Sequence, residues 1–244
     1  MTPVLWTCPL FTIYTYGLVA AVAFIVSSWL IGKEAGRRGL PAETISTWTL
    51  MLLVFGILGA RILYVVLNWR DFSGDFLEIF RLQHGGLIWF GGFAGSLLGG
   101  IIFLRIHRLP VFKVLDIAAP YVALAQAIGR IGCFYNGCCY GKPSSWGIYF
   151  PVHQQVLFPS QILDSLTLLV LFVLLKGFKS SRPGRVFAAY LIGASVQRFL
   201  MEFIRGDIRP FYLSLSFYQW VCVGLFVFGV LVFALVPDRS DKTA

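Results

Sequence analysis

Charged residues are scarce in this sequence of 244 residues. Asp, Glu, Lys and Arg together make up only 13% of it, against the roughly 25% that is usual in soluble globular domains. Hydrophobic residues, by contrast, make up 58%. This balance excludes an ordinary soluble domain and indicates a membrane protein.

Acidic residues are fewer than basic ones, 11 against 20, which gives a net charge of +9. A basic excess can indicate a nucleic-acid partner. Here, however, the basic residues lie in short segments between apolar runs and do not form a stripe across a solvated surface. We therefore expect no nucleic-acid partner, and we expect the basic residues to mark the loops of a membrane protein.

A regular cysteine framework is also missing. The five cysteines lie at positions 8, 133, 138, 139 and 222, an odd number with no regular spacing, so a disulfide scaffold is excluded. Residues 133–139 read C-x4-C-C, without the second pair or the histidines of a usual zinc site. Adjacent Cys138 and Cys139 are not expected to face one helical site. The sequence therefore predicts no metal ion and no cofactor, with a redox or metal-binding role as the weaker alternative.

Long apolar runs are what the sequence does contain. Seven segments are each about long enough to cross a bilayer as a helix, which takes roughly 20 residues. Since no long linker or repeat interrupts them, we predict an all-α polytopic integral membrane protein with a single transmembrane domain over residues 1–244. The predicted spans lie near residues 12–32, 45–67, 87–105, 113–135, 156–177, 186–204 and 215–237. Glycines 91, 92, 95, 99 and 100 in the third span predict close helix packing.

The distribution of basic residues predicts the orientation. Twelve Lys and Arg residues lie in the loops 33–44, 105–113 and 176–185 and in the tail after residue 237, and five lie in the opposite loops. Cytoplasmic loops carry the excess of positive charge in membrane proteins. We therefore expect the N-terminus outside and the C-terminus in the cytoplasm.

Three arginines fall inside predicted spans, Arg61, Arg130 and Arg198. An arginine at the centre of a membrane helix costs roughly 2.5–3.5 kcal/mol on insertion scales, so each needs a partner or a wet cavity. Asp164 and Glu202 are the acids nearest to them on this topology. With Arg205 added, the arginines outnumber these acids, which favours an anionic ligand such as a lipid phosphate at the outer leaflet.

One histidine, His84, precedes two glycines at the outer start of the third span. An imidazole there can act as a base near neutral pH. A hydrogen-bonded surface group is the alternative interpretation of the same residue.

Five segments, in order along the chain, together resemble the prolipoprotein diacylglyceryl transferase family of bacterial membrane enzymes. The segments are IYTYGL at 13–18, GARILYV at 59–65, GRIGCFYNGCCYG at 129–141, FPSQILD at 158–164 and RFLMEFIRGD at 198–207. They resemble the family motifs I-R-W-Y-G-L, G-x-R-x-x-Y, G-R-x-G-N-F-x-N-x-E-x-x-G, H-P-S-Q-L-Y-E and R-F-x-x-E-F-F-R-x-P-D.

The resemblance implies a seven-span enzyme of the bacterial inner membrane with its active site facing the outer leaflet. Such enzymes transfer a diacylglyceryl group from phosphatidylglycerol to the lipobox cysteine of a prolipoprotein. The implied partners are therefore phosphatidylglycerol, a prolipoprotein and the lipid bilayer. The expected catalytic residues are Arg205, Arg130, Tyr16, Asp164 and His84. The expected lipid-binding residues are Arg130, Asn136, Gly141, Arg61, Glu202 and Gln161.

Several positions depart from the family motifs. Cys133 and Cys138 replace an asparagine and a glutamate, and Phe158 replaces a histidine. HGGLI at 84–88 resembles the family's H-G-G-L-I directly. We favour the longer register, in which GGLIWFGGFAG at 85–95 resembles the family's G-G-x-x-x-H-G-G-x-x-G and Phe90 takes the place of the histidine. In that register the general base is Asp164, His84 or a cysteine thiolate. The alternatives are transfer of a related lipid group to another acceptor, or lipid binding without catalysis.

Overall fold

A computed structural model of the chain describes residues 4–7, 12–72, 76–81, 85–207 and 210–236. Seven α-helices lie within these residues. They are α1 (Thr15–Arg37), α2 (Ala42–Leu67), α3 (Trp89–Ile106), α4 (Val111–Asn136), α5 (Ser160–Gly177), α6 (Arg185–Met201) and α7 (Phe217–Leu235). Two short 3-10 helices, Trp69–Phe72 and Phe76–Phe80, follow α2. Each predicted span coincides with one α-helix, which confirms the all-α polytopic class.

Five of the helices, α1, α2, α4, α5 and α7, are long and apolar enough to cross a membrane. Helix α6 is shorter, with 17 residues, and α3 has a shorter apolar stretch, Phe90–Ile106. Large apolar side chains are exposed along the helices, for example Ile25, Val66 and Leu98. Such extensive exposed apolar surface fits contact with lipid and would be a liability in water.

Three short antiparallel strand pairs lie within the described residues, one before α1, one between α4 and α5, and one between α6 and α7. They pair β1 (Val4–Thr7) with β2 (Thr12–Tyr14), β3 (Pro143–Phe150) with β4 (Gln155–Leu157), and β5 (Phe211–Tyr212) with β6 (Leu215–Ser216). The first hairpin explains why α1 begins at Thr15 and not at the predicted residue 12. None of the three was predicted, because two lie between apolar runs and the pair β1–β2 precedes and overlaps the start of the first run.

The chain divides into two compact units, Ile31–Val114 and Met1–Leu30 with Leu115–Ala244. The prediction of one transmembrane domain over residues 1–244 stays a prediction.

Helices α2 and α3 of the unit Ile31–Val114 pack backbone against backbone. A Cβ atom built at Gly59, Gly91 or Gly95 would collide with backbone atoms of the facing helix. Two polar side chains bridge the same helices, Ser96 Oγ donating to the Leu52 carbonyl at 2.8 Å and Trp48 Nε1 donating to the Gly100 carbonyl at 3.1 Å. The glycines of the third predicted span therefore do allow a close approach, as expected.

In the other unit, α6 packs between α5 and α7. Asp116 of α4 accepts hydrogen bonds from the backbone N–H groups of Gly184 at 2.6 Å and Phe187 at 2.8 Å. These two N–H groups flank the first turn of α6, where donors have no partner within the helix. Asp116 thereby fixes the start of α6 against α4.

Candidate active site

The motif at residues 129–141 forms the last two turns of α4 and the loop that follows. Helix α4 ends at Asn136, and Gly137 has a φ of 74°, the left-handed conformation with which helices commonly terminate. Cys139 has a φ of 63° although it is not glycine. The chain therefore turns sharply twice directly after the helix.

Arg130 lies in this part of α4 and forms an ion pair with α5. Its Nε lies 2.7 Å from Oδ2 of Asp164, whose side chain is only 4% exposed. The other carboxylate oxygen, Oδ1, accepts a hydrogen bond of 2.6 Å from Gln197 Nε2 of α6. Asp164 thus joins α4, α5 and α6 and orients the guanidinium of Arg130. The Arg130 side chain keeps 22% of its surface exposed.

Arg205 is brought to the same motif by the backbone after α6. It forms an isolated antiparallel bridge with Gly141, and the neighbouring bonds run from Lys142 N to Ile204 O and from Gly206 N to Tyr140 O, both 3.0 Å. A Cβ at Gly141 would lie 2.8 Å from the Phe158 carbonyl oxygen. Only glycine fits there, so the structure explains Gly141 by backbone packing. Its predicted contact with lipid stays a prediction.

The side chain of Arg205 is almost fully buried and forms a bidentate pair with Asp207. Nε and Nη2 each lie 3.0 Å from a carboxylate oxygen. Burial opposes the charged form of Arg205, but hydrogen bonds to Asp207 and Cys139 outweigh it and raise the pKa of the guanidinium above its ordinary value. Arg205 is therefore a permanent cation next to the loop after α4.

Three thiols gather in this loop. The sulfur atoms of Cys133, Cys138 and Cys139 all lie within 4.8 Å of one another. The expectation that Cys138 and Cys139 cannot share a site is wrong, because it assumed a helix, whereas α4 has ended at Asn136 and the backbone of Cys139 is left-handed. Hydrogen bonds from the Cys133 and Cys138 thiols, together with the nearby Arg205 guanidinium, hold the pKa of the Cys139 thiol well below its ordinary value, although burial opposes this.

Two buried side chains at the start of α5 fix the backbone of the cysteine loop. Gln161 Nε2 donates to the Cys138 carbonyl at 2.7 Å, and Ser160 Oγ donates to the Cys139 carbonyl at 2.8 Å. Both side chains are 1% exposed. The motif at 158–164 thus supports the loop after α4, a role that sequence reasoning did not assign to Gln161.

Tyr16 lies at the start of α1 near the same part of α4. A Cβ atom at Gly132 would lie 3.3 Å from its ring, and the phenol is close enough to Arg130 for the guanidinium charge to act on it. The structure therefore brings Tyr16, Arg130, Asp164, Arg205 and the three thiols together.

Other predicted site residues have structural partners. Glu202 pairs with Arg198 at 3.0 Å, and its Oε1 accepts a hydrogen bond of 2.9 Å from Ser216, the N-cap of α7. Asn136 is the last residue of α4. The contacts of Glu202 and Asn136 with lipid stay predictions.

Arg61 belongs to the other unit, Ile31–Val114, and is bound by backbone carbonyls. Its guanidinium donates to Glu78 at 2.5 Å, Ile79 at 2.8 Å and Gly85 at 2.6 Å. The side chain is 7% exposed. These bonds compensate the buried charge, so Arg61 holds the segment after α2 in place, which the sequence analysis did not foresee. His84 lies outside the described residues, and Phe90 is half exposed on α3.

Comparisons with known proteins identify the family of this chain. A profile of the family described as "Prolipoprotein diacylglyceryl transferase" matches residues 3–235. The phosphatidylglycerol–prolipoprotein diacylglyceryl transferase of Clostridium tetani is 34% identical over 99% of this chain and 100% of its own. The protein of the same name from Geobacillus kaustophilus is 36% identical over 90% of this chain and 86% of its own. A second such transferase of Clostridium perfringens is 34% identical over 94% and 93%. The chain therefore belongs to the prolipoprotein diacylglyceryl transferase family.

Proposed function

We propose that this chain transfers the diacylglyceryl group of phosphatidylglycerol to the thiol of a lipobox cysteine in a prolipoprotein, and so acts in lipoprotein maturation. The observation that carries the proposal is the meeting of Arg130 and Arg205 at the motif 129–141, in a chain that is 34–36% identical to three transferases of that name.

Arg130 is suited to hold the phosphate of the lipid. A guanidinium has five N–H donors in a planar fork that matches phosphate oxygens, and the ion pair with Asp164 engages Nε. Asp164 and Gln197 hold the guanidinium in one orientation. Donors fixed in advance in this way stabilise charge without a reorganisation cost during the reaction.

Arg205 is suited to stabilise the charge that develops on the leaving phosphate oxygen. During transfer, the carbon–oxygen bond between the glyceryl group and the phosphate breaks, and negative charge grows on that oxygen. A buried, permanent cation acts strongly on such a charge because little water screens it. Arg205 meets these conditions.

We propose the membrane location and the orientation of the chain together with the activity. The chain lies in the bacterial inner membrane with its N-terminus outside and its C-terminus in the cytoplasm, and its active site faces the outer leaflet. The charge distribution of the loops supports this orientation.

The proposal is tested with the purified protein in nanodiscs that contain phosphatidylglycerol, supplied with a peptide that carries a lipobox cysteine. We expect the thioether-linked diacylglyceryl peptide by mass spectrometry and an equal amount of free glycerol phosphate. The matched control is the same peptide with serine in place of the cysteine, which should give neither product.

A lipid-binding protein without turnover is the second candidate, favoured by the replacement of polar motif positions with Cys133, Cys138, Phe90 and Phe158. Under that alternative, Arg130→Ala abolishes binding of phosphatidylglycerol while no condition gives the thioether. Lipid binding without any thioether in the nanodisc assay would therefore contradict the transferase proposal.

A further inference from the structure

The three thiols at the end of α4 have the spacing of a metal site. Their sulfur atoms lie within 4.8 Å of one another. Zinc binds thiolate sulfur at about 2.3 Å in tetrahedral geometry, which separates any two sulfurs by about 3.8 Å. Small rotations of the side chains therefore suffice to bring all three sulfurs onto one ion.

The backbone around the thiols is fixed in a strained conformation. Cys139 has a φ of 63°, which a residue other than glycine adopts only at a cost of about 1–3 kcal/mol. The carbonyls of Cys138 and Cys139 are held by Gln161 and Ser160, both fully buried. The surroundings thus compel the turn that brings Cys138 and Cys139 to Cys133.

The cluster lies beside the residues that we propose for lipid transfer. The Cys139 thiol lies close enough to the Arg205 guanidinium for that charge to act on it, and Cys133 follows Arg130 by three residues on α4. Two of the three thiols, those of Cys133 and Cys138, lie at positions where the motif of the transferase family has an asparagine and a glutamate. The chain therefore replaces polar groups at its active site with a set of soft metal ligands.

We propose that Cys133, Cys138 and Cys139 bind one zinc ion and leave its fourth position for the thiol of the acceptor cysteine. This inference rests on the transferase function proposed above. Three protein ligands with one open position are the pattern of catalytic zinc sites, whereas structural sites have four. Thiolates select zinc and other soft or borderline ions. Zinc has no redox chemistry, which suits a transfer step in which no atom is oxidised or reduced.

Zinc would do the work of a general base. A thiol that coordinates zinc loses its proton outright, and metal coordination is one of the ways in which enzymes activate a nucleophile. In the longer register of the third-span motif, Phe90 stands where the family has a histidine. Activation of the acceptor thiol by zinc would compensate for the loss of that histidine as a base.

The step balances without an oxidant or reductant. The acceptor thiol releases its proton to water when its sulfur binds zinc. The sulfur lone pair then forms a bond to the glyceryl carbon that carries the phosphate. The carbon–oxygen bond breaks, and its electron pair goes to the phosphate oxygen, which gives a thioether, glycerol phosphate and one proton.

Metal analysis tests the site independently of activity. The full-length protein is loaded with Zn²⁺, dialysed and analysed for metal, and we expect about one zinc per chain. Cys133→Ser, Cys138→Ser and Cys139→Ser should each weaken zinc binding by more than about a hundredfold, since loss of even an outer-shell partner costs about 10–100-fold in metal affinity. Cys222→Ser is the matched control, a buried cysteine of α7 outside the cluster, and should keep its zinc.

A second readout uses the unaltered protein and so does not depend on how the variants fold. Replacement of zinc by Co²⁺ should give an intense near-ultraviolet thiolate-to-cobalt absorption together with visible bands of tetrahedral cobalt. Absence of these bands, or equal zinc in the unaltered chain and the three serine variants, overturns the site.

Measurements of thioether formation distinguish the proposed zinc site from the proposed transferase function. We expect chelation to stop thioether formation and added Zn²⁺ to restore it, while phosphatidylglycerol binding stays unchanged. If the chelated protein forms thioether at the full rate, zinc activation is wrong although the transferase function stands. If no form of the protein makes thioether, the transferase function fails, and zinc stoichiometry still decides the metal site.

Discussion

Arg130 is the residue on which lipid transfer should depend most directly. Arg130→Ala removes the planar donor set for the phosphate, and loss of one preorganised donor to a developing charge costs about 10²–10³ in kcat. Arg130→Lys keeps the charge but loses the fork, so we expect an intermediate rate. The measurement is the rate of thioether formation with saturating peptide.

The control for these variants is Arg38→Ala. Arg38 is a half-exposed arginine paired with Glu34 four residues earlier, and such surface pairs contribute little. Its variant should keep the rate of the unaltered protein. If Arg130→Ala also keeps that rate, Arg130 does not bind the phosphate.

Asp164 should orient Arg130 and take no proton from the substrate. Both of its carboxylate oxygens are occupied, Oδ2 by Arg130 at 2.7 Å and Oδ1 by Gln197 at 2.6 Å. We therefore expect Asp164→Asn to raise the KM for phosphatidylglycerol about tenfold with little change in kcat, in line with a weakened charge-assisted contact worth about 1.4 kcal/mol.

The pH profile distinguishes this orienting role from base catalysis. With Asp164→Asn, the acidic limb of the kcat profile should stay where it is. Loss of that limb together with a fall in kcat of about 10²–10⁴, the usual contribution of a general base, would instead identify Asp164 as the base.

Among the structural elements, the helix pair α2 and α3 depends on glycine. A Cβ atom at Gly95 would collide with the Phe55 carbonyl and come within 3.0 Å of the Gly59 Cα. Because overpacking typically costs about 1–3 kcal/mol, Gly95→Ala should lower the midpoint of thermal unfolding in detergent. Gly224→Ala in α7 is the control, since a Cβ there meets nothing within 4 Å, and its midpoint should not fall. Equal midpoints for both variants would refute the close packing.

The loop after α4 depends on α5 in a similar way. Gln161→Glu keeps the size of the side chain but removes the N–H donor to the Cys138 carbonyl. A buried acceptor left unpaired costs about 1–3 kcal/mol, so both thermal stability and the rate of transfer should fall. Gln155→Glu, an exposed change in β4, introduces the same charge and should leave both unchanged. Undiminished transfer by Gln161→Glu would contradict the supporting role.

The helices were predictable from sequence, but the site was only partly so. Lipid offers the backbone no hydrogen-bond partners, so an apolar run of about 20 residues must form a helix there. Helices α1–α7 therefore lie where the runs predict. The gathering of Cys133, Cys138 and Cys139 was not predictable, because it depends on a left-handed Cys139 held by carbonyl contacts from α5. The carbonyl partners of Arg61 were likewise not predictable, because main-chain carbonyls carry no signal in the sequence. The predicted contact of Arg61 with lipid stays a prediction.

For the whole molecule, the charge bias predicts one orientation in the membrane. Twelve basic residues lie on the predicted cytoplasmic side and five on the other. A reporter enzyme that is active only outside the cytoplasm should work when fused before residue 1 and fail when fused after residue 244. The reverse pattern would place the proposed site at the inner leaflet and contradict the outer-leaflet assignment.

Transfer of the diacylglyceryl group is the central claim, and its most direct test is the mass of an acceptor lipoprotein in bacteria that lack their own transferase. With this chain expressed, we predict that the lipobox cysteine carries a thioether-linked diacylglyceryl group, and that expression of the Arg130→Ala variant leaves it unmodified. An unmodified cysteine in cells where the unaltered chain is present in the membrane would contradict the account.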